Sequence, residues 1–367
     1  MQKHAFFSLN YAPGLLKEML AISKELTSDD DKIIMCLSEK YQWMLDETLH
    51  VEFFKSFLEK LGKVGQLLAI PFVILQIFKT FFKCRIDTCI IYNISIYNSF
   101  IFMISSFFGV KKKVLILHEP YKEKTLVRGF FVKLYFYMAE LVQWIPIALS
   151  THVVLMSPNG EKIFRSRFKK YPGFVVGAHL TVPDYYSTES SGKTRTFYSV
   201  VGRFNKIKKI DYFFDFVCWS VDKDYSHEFL VVTSSDISKE LRLLPGLVRQ
   251  RITVINPDQL SDSIIYDALC ESKAVLLLQP VITQSGVLPF SFMSGTPVIS
   301  LENPGFSQYV ENQCNGLLID DPKDFINIQK SIDFIESNLP FLSAEARKTY
   351  LRYFHPKNVR KFLSSII

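Results

Sequence analysis

At 367 residues the chain exceeds what one compact core accommodates, and it suits two domains of about 150–200 residues each. A hydrophobic fraction of 48% beside 22% charged residues excludes a disordered chain. Lys plus Arg number 43 against 36 Asp plus Glu, a net charge of +7, which admits a negatively charged partner such as nucleotide phosphates or anionic lipid. Nucleic acid is set aside, because no zinc-finger spacing or RNP-type aromatic motif occurs and the basic residues are scattered.

The N-terminus, MQKHAFFSLNYAPG, has no signal-peptide apolar core, so the cytoplasm is the expected compartment. Ala5 to Leu9 reads as a short strand and Asn10 to Gly14 as a loop. Leu15 to Leu26 follows as an amphipathic helix, and Lys32 to Leu37 as a second strand. Further strands are expected at Asp87 to Tyr92, Lys113 to Leu117 and Thr151 to Met156. A helix is expected over Ile96 to Phe108, and a turn at Ser157-Pro158-Asn159-Gly160. Strands alternating with helices imply a doubly wound parallel sheet.

Two apolar segments interrupt that half, Val64 to Phe82 and Phe130 to Leu149. Gln66, Pro71, Gln76 and Lys79 break the first, and Lys133, Glu140 and Gln143 the second, which argues against spanning a bilayer. Lys60, Lys63, Lys83, Arg85 and Arg128 lie close by. Two readings therefore stand: helices at the interface of an anionic membrane, or core helices packed on the sheet.

After the polar stretch Ser187 to Gly192, which reads as a linker, a second series of strands begins. They are Phe197 to Val201, Glu228 to Thr233, Arg251 to Ile255, Lys273 to Leu278 and Pro297 to Ser300, with a last one near Gly316 to Ile319. Helical sequence runs from Leu342 to Ile367. Two halves of one architecture imply a ligand cleft between them. The cysteines Cys36, Cys84, Cys89, Cys218, Cys270 and Cys314 form no CxxC pair and read as small hydrophobes in a reducing compartment.

Chemistry concentrates in the second half. QSGVLPFSFMSGTPVIS, from Gln284 to Ser300, reads as a small hydroxyl-bearing turn opening a helix, and such a turn offers backbone N–H groups and the positive helix end to a phosphate. Val201-Gly202-Arg203 ends a strand, and Arg203 and Lys208 on one basic loop could converge on a departing diphosphate. A solvated basic surface with Arg203 in a structural ion pair is the other reading of that loop. His118-Glu119-Pro120 follows the strand VLIL, where a histidine at a carboxyl end can meet a sugar hydroxyl or orient an acceptor.

In order, VGRFNKIKK, LLLQPVITQSGVLPFSFMSGTPVIS and PGFSQYVENQCNGLLIDDP resemble the C-terminal half of retaining nucleotide-sugar glycosyltransferases of family four. The resemblance covers residues 195 to 325 and implies an α/β, GT-B fold of two Rossmann-like domains. Residues 1–185 would bind acceptor, 193–340 would bind nucleotide-sugar, and 341–367 would form a helical segment free to pack back on the first domain. Arg203 and Lys208 would bind the pyrophosphate and, with His118, serve catalysis. Gly202, Gln284, Ser285, Gly286 and Val287 would contact the donor, and Asn256 and Pro257 would hold its base. Asn10, Gly14 and Glu119 would lie on the acceptor side.

The family's two glutamates eight positions apart are absent, with Ile282 or Gln284 and Phe290 in their places and Gln308 where another glutamate often stands. The reading is a metal-independent, cofactor-free transfer of sugar to a glycan or lipid-linked glycan in bacterial surface polysaccharide synthesis. The enzyme would be cytoplasmic and peripheral at the inner face of the membrane. The alternatives are a catalytically silent GT-B subunit that binds nucleotide or a partner transferase, and a sugar epimerase of the same fold.

Overall fold

The computed structural model describes residues 2–9, 13–26, 32–44, 51–54, 68–92, 95, 97–118, 142–186, 193–204, 210–279 and 285–358. The chain divides into two compact units, Met1–Pro183 with Pro356–Ile367, and Asp184–His355.

The first unit is built on seven parallel strands: β1 (Lys3–Ser8), β2 (Lys32–Ser38), β3 (Val51–Phe54), β4 (Thr88–Tyr92), β5 (Lys112–Leu117), β6 (His152–Leu155) and β7 (Phe174–Gly177). Their order is β3-β2-β1-β4-β5-β6-β7, so the direction of winding reverses between β1 and β4. Ala5 pairs with Ile34 on one side and Cys89 on the other. Both faces of the sheet are covered, which is why these strands read as unbroken apolar runs. Phe7, Cys36, Cys89 and Ile91 pack with Val73, Ile77 and Phe81 of α2 (Ile70–Cys84) and with Ile101 and Phe102 of α3 (Asn98–Phe107). Phe6, Met35, Leu37 and Ile90 pack on the other face with Leu16, Met19 and Ile22 of α1 (Pro13–Leu26).

Local signals explain several differences from expectation. Gly14 lies inside α1, not in a loop, because Pro13 opens that helix with a preset φ. Pro71 likewise sits in the first turn of α2, where it costs no hydrogen bond and interrupts nothing. Ser157 to Gly160 is the start of α4 (Pro158–Arg167) rather than a turn. The Ser157 side chain accepts the Gly160 N–H at 2.9 Å. Strands β3 and β7, four residues each, were not anticipated, being too short to carry a period. The expected linker 187–192 and the segment 130–141 lie outside the described residues, while 142–149 is helical.

The second unit is a six-stranded parallel sheet of β8 (Phe197–Val201), β9 (Glu228–Val232), β10 (Ile252–Ile255), β11 (Ser272–Leu277), β12 (Val298–Leu301) and β13 (Gly316–Ile319). The order β10-β9-β8-β11-β12-β13 puts the switch between β8 and β11. Helices α5 (Asp211–Asp222), α6 (Ser238–Leu243), α7 (Gly246–Gln250), α8 (Asp262–Cys270), α9 (Val287–Met293) and α10 (Phe325–Tyr353) complete it. Leu342, Ala346 and Tyr350 of α10 are buried, so the part of the expected tail from 341 to 353 belongs to this unit's own helix. Pro340 and Asn338 kink it, since the proline supplies no N–H.

Arg195, just before β8, donates to the carbonyls of Leu269, Ser272 and Ser294 and to the Thr296 hydroxyl at 2.6–3.3 Å. A half-buried guanidinium thereby caps the carboxyl ends of α8 and α9, where partial negative charge collects. Four cysteines are buried and Cys218 and Cys314 are half-buried, all as free thiols.

Candidate functional site

In open parallel sheets, ligands meet the carboxyl ends of strands where the winding reverses. In the second unit that place is bounded by Gly202, just after β8, and by Gln279, just beyond β11. Gly202 has φ +125°, a conformation that residues with side chains rarely adopt, and its N–H bonds the Val232 carbonyl at 2.9 Å. A β-carbon there would stand 3.6 Å from the Val287 side chain. The Gly202–Arg203 turn and the start of α9, far apart in sequence, are thus neighbours. Arg203 is exposed, whereas Ser285 is buried and its hydroxyl accepts the Leu288 N–H at 3.4 Å. Gly286 is the N-cap of α9, and a β-carbon there would meet open space.

The loop bearing Arg203 is braced from behind. Ser235 Oγ accepts the Phe204 N–H at 2.9 Å and donates to the Phe204 carbonyl at 3.1 Å. Asn256 Nδ2 donates to the carbonyls of Thr233 at 2.6 Å and Ser235 at 3.0 Å. Asn256 therefore spends its amide N–H groups joining the ends of β9 and β10, and Pro257 beside it is half-buried. On the other flank Asn303 closes a turn by accepting from Gly305 and Phe306, and donates to the Gln279 carbonyl at 3.3 Å. Gln279 Oε1 is buried and has no partner among the described residues. Such an atom is what a bound ligand's donor would satisfy. Ser235, Gln279 and Asn303 escaped the sequence reading, since only their position at strand ends marks them. Lys208 and Gln284 lie outside the described residues. Phe290, in place of a glutamate, stacks with Tyr185 at 6.4 Å between ring centroids.

In the first unit, His118 follows the end of β5 beside Tyr92, the last residue of β4, with ring centroids 5.4 Å apart edge to face. Its Nε2 lies 3.2 Å from Glu18 Oε2. Burial pushes the Glu18 carboxyl up, against the pull of His118, the Tyr92 hydroxyl and the Thr181 N–H, which reaches Oε1 at 2.9 Å. Ser8, ending β1, and Ser99, in the first turn of α3, bury hydroxyls that have no partner among the described residues. Polar groups therefore gather at the carboxyl ends around the β1–β4 switch. Glu18 was not anticipated, because one acid in an amphipathic helix reads as solvated. Asn10 and Glu119 lie outside the described residues.

A different face of this unit is apolar and basic. Phe72, Leu75, Phe78 and Phe82 of α2 are exposed, Phe82 by 75%, with Met103 and Phe107 of α3 beside them. At the amino ends of β1, β4 and β5 a cavity of about 1120 Å³ is lined by Phe82, Lys83, Arg85, Phe108, Lys111 and Lys112, among others. Arg85 closes α2 in the left-handed region at φ +50°, unusual for a residue with a side chain. Among the described residues no helix is long and apolar enough to cross a membrane, and no three His, Cys, Asp or Glu side chains are grouped to hold a metal ion.

These features define an α/β protein of two doubly wound units. Solved structures share its architecture from end to end. HepE of Anabaena in complex with UDP has a TM-score of 0.73 at 14% identity, covering 100% of this chain and 99% of its own. A glycosyltransferase from Rickettsia africae ESF-5 has 0.71 at 15%, covering 100% and 97%. The lipopolysaccharide outer core galactosyltransferase WaaB, in its apo form, has 0.68 at 13%, covering 100% and 99%. No protein-family model matches the chain, and no curated protein matches it in sequence. The fold is GT-B, the one shared by these glycosyltransferases.

Proposed function

We propose that the chain is a glycosyltransferase that moves a sugar from a nucleotide-sugar donor to a glycan or lipid-linked glycan, with retention and without a metal. The observation that carries this reading is the meeting of the Gly202–Arg203 turn with the Ser285–Val287 turn at the β8–β11 switch. A guanidinium on one side and backbone N–H groups on the other suit the two negative charges of a nucleoside diphosphate. In this reading Arg203 and Lys208 hold the pyrophosphate as it leaves, and Gln284 faces the sugar. Gly202 lets the backbone approach closely, Pro257 borders the base, and Asn256 acts by holding the loop ends together. His118 meets a hydroxyl of the transferred sugar, and Asn10, Gly14 and Glu119 lie toward the acceptor.

The exposed α2 ridge and the cations Lys79, Lys83, Arg85, Lys111 and Lys112 support a peripheral position on an anionic membrane, where a lipid-linked acceptor is found. Synthesis of a bacterial surface polysaccharide at the inner face of the cytoplasmic membrane fits that placement.

One observation favours a second reading, a silent GT-B subunit that binds nucleotide without turnover. Phe290 packs against Tyr185 where a ribose-gripping carboxylate is missing. A thermal-shift screen against UDP, GDP, ADP and CMP separates these ideas in its second stage. A nucleotide at 100 times its dissociation constant adds about 2.7 kcal/mol of stability, and its sugar conjugate is then tested for release and transfer. Turnover that disappears in folded Arg203→Ala and Lys208→Ala variants is expected. Binding without turnover across donors and acceptors establishes the silent subunit, and no nucleotide binding at all refutes both.

A further inference from the structure

The exposed ridge of α2 and the basic cavity meet at the carboxyl end of that helix. Phe82 is the last exposed ring of the ridge and also part of the cavity wall. Phe108, in the same wall, packs against Phe78 at 4.9 Å between ring centroids. An apolar strip therefore runs into a basic cavity. Cations gather at helix carboxyl ends for structural reasons, and three of those nearby are accounted for locally. Lys83 is paired with Glu52 at 2.8 Å, Lys113 gives its ammonium to Ser106 Oγ at 2.7 Å, and Lys3 Nζ donates to the Cys84 carbonyl at 2.9 Å. The last contact satisfies the end of α2 without Arg85. Arg85 and Lys111 are exposed and have no carboxylate partner among the described residues. Asp87 is the one acid among the described residues of the wall, and its Oδ2 accepts the Lys3 N–H at 2.9 Å. The turn after α3 holds Gly109 at φ +72°, the residue type that conformation favours, whereas α2 closes on Arg85 at φ +50°. Glycine would close α2 with less strain, so the arginine answers to something outside the turn.

We propose that this cavity takes the phosphate headgroup of an anionic membrane phospholipid, with α2 lying in the interface and its ridge among the acyl chains. Charge and shape agree on that occupant. Arg85 and Lys111 suit a phosphodiester, and a helix laid flat with its apolar face in the bilayer holds its own carboxyl end at headgroup depth. A soluble anion would use the cations and leave the ridge in water. The lipid bound here is not the acceptor. β5 spans six residues, with Lys112 at the cavity and His118 just past the far end, which at about 3.3 Å per residue puts them about 20 Å apart. That assignment rests on the membrane placement proposed above, and not on turnover.

Two measurements on the full chain test it: calorimetry with dihexanoylphosphatidylglycerol kept below its micelle concentration, and sedimentation with vesicles. One short-chain lipid per chain is expected to bind saturably, with dihexanoylphosphatidylcholine and inorganic phosphate each weaker by about tenfold or more. Arg85→Gly relieves the left-handed backbone, so that variant should fold at least as well as the wild type. Combined with Lys111→Ser, it should abolish the saturable binding. The same pair should weaken sedimentation with phosphatidylcholine–phosphatidylglycerol vesicles by about tenfold or more, since each cation near an anionic surface contributes about fivefold. Lys239→Ser with Lys330→Ser removes equal charge from exposed positions of the second unit and should change neither readout. Equal losses in both double variants mean diffuse attraction and overturn the site. Inorganic phosphate that binds as tightly as the lipid overturns it too. Vesicle and lipid binding that survive in Arg85→Gly with Lys111→Ser overturn the headgroup site while leaving the ridge on the membrane. A wild type that sediments with neither vesicle at low salt overturns the site and the membrane placement together. A wild type that transfers no sugar but binds the lipid as expected removes the transferase reading and upholds the site.

Discussion

Replacing Gly202 with alanine tests whether the turn after β8 needs its unusual backbone. At φ +125° an L-residue is strained, and holding one in so sparse a region costs about 1–3 kcal/mol. Crowding adds little, since the new methyl would meet only Val287 at 3.6 Å, an ordinary van der Waals distance. The strain is relieved only by turning the peptide, which pulls the Gly202 N–H from the Val232 carbonyl and swings Arg203 away from α9. Gly202→Ala should therefore lower the urea unfolding free energy by about 1–3 kcal/mol, or weaken nucleotide affinity by about tenfold or more if the chain relaxes. Gly286→Ala is the matched control. Its φ of −69° suits alanine and its surroundings are open, so stability should hold or rise by about 0.4–1 kcal/mol. Nucleotide affinity should still fall, because a methyl at the N-cap of α9 stands where the phosphate approaches. Urea titration and calorimetry on both variants decide the matter. A Gly202→Ala protein with wild-type stability and wild-type affinity would refute the reasoning.

Arg347 grips Asp184 through two nitrogens at 2.9 and 2.7 Å and also donates to the Met293 carbonyl. Arg347→Ala should cost about 2–3 kcal/mol by urea denaturation, since a half-buried carboxylate loses its main partner. Burial pushes the Asp184 carboxyl up, but Arg347, the Tyr186 N–H and His355 outweigh it and hold it below its ordinary value. That contribution is present above the ordinary carboxylate range and is lost as pH falls through the depressed value, so Arg347→Ala should flatten the acid limb of the stability profile. Burial lowers the His179 imidazole to about 4. Between there and the ordinary histidine value the unfolded chain binds the extra proton, so stability should fall as pH drops from about 6.5 to 4, by about 1–2 kcal/mol after solvent screening. His179→Gln should remove that slope, and an unchanged slope counts against it. Phe82→Ser should leave stability within about 0.5 kcal/mol, because the ring is 75% exposed. It should also reduce sedimentation with anionic vesicles at low salt, and equal sedimentation would detach α2 from any membrane role.

Alternation of apolar runs with helical periods places most strands of both sheets within a residue or two, and Phe197 to Val201 and Gly316 to Ile319 match at both ends. Parallel strands buried on two faces are continuous in hydrophobicity, so their chemistry is visible one residue at a time. The same holds for Gly202, Ser285 and His118, each recognisable from its place at the edge of a strand or helix. Boundaries set by a single proline or serine were harder: Pro13, Pro71 and Ser157 open helices where a turn or an interruption was expected. Glu18 shows why the remainder needs the folded chain. Nothing within α1 distinguishes it from a solvated acid, because the Thr181 N–H that it accepts and the Tyr92 and His118 rings beside it are brought there by strand order rather than by any local pattern. Asn256 is the converse case, an exposed-looking amide whose hydrogens prove to be committed to two carbonyls of the neighbouring strand's loop. Local periodicity records what a residue does to its own backbone, whereas the burial and pairing of a polar group depend on atoms that sequence distance hides.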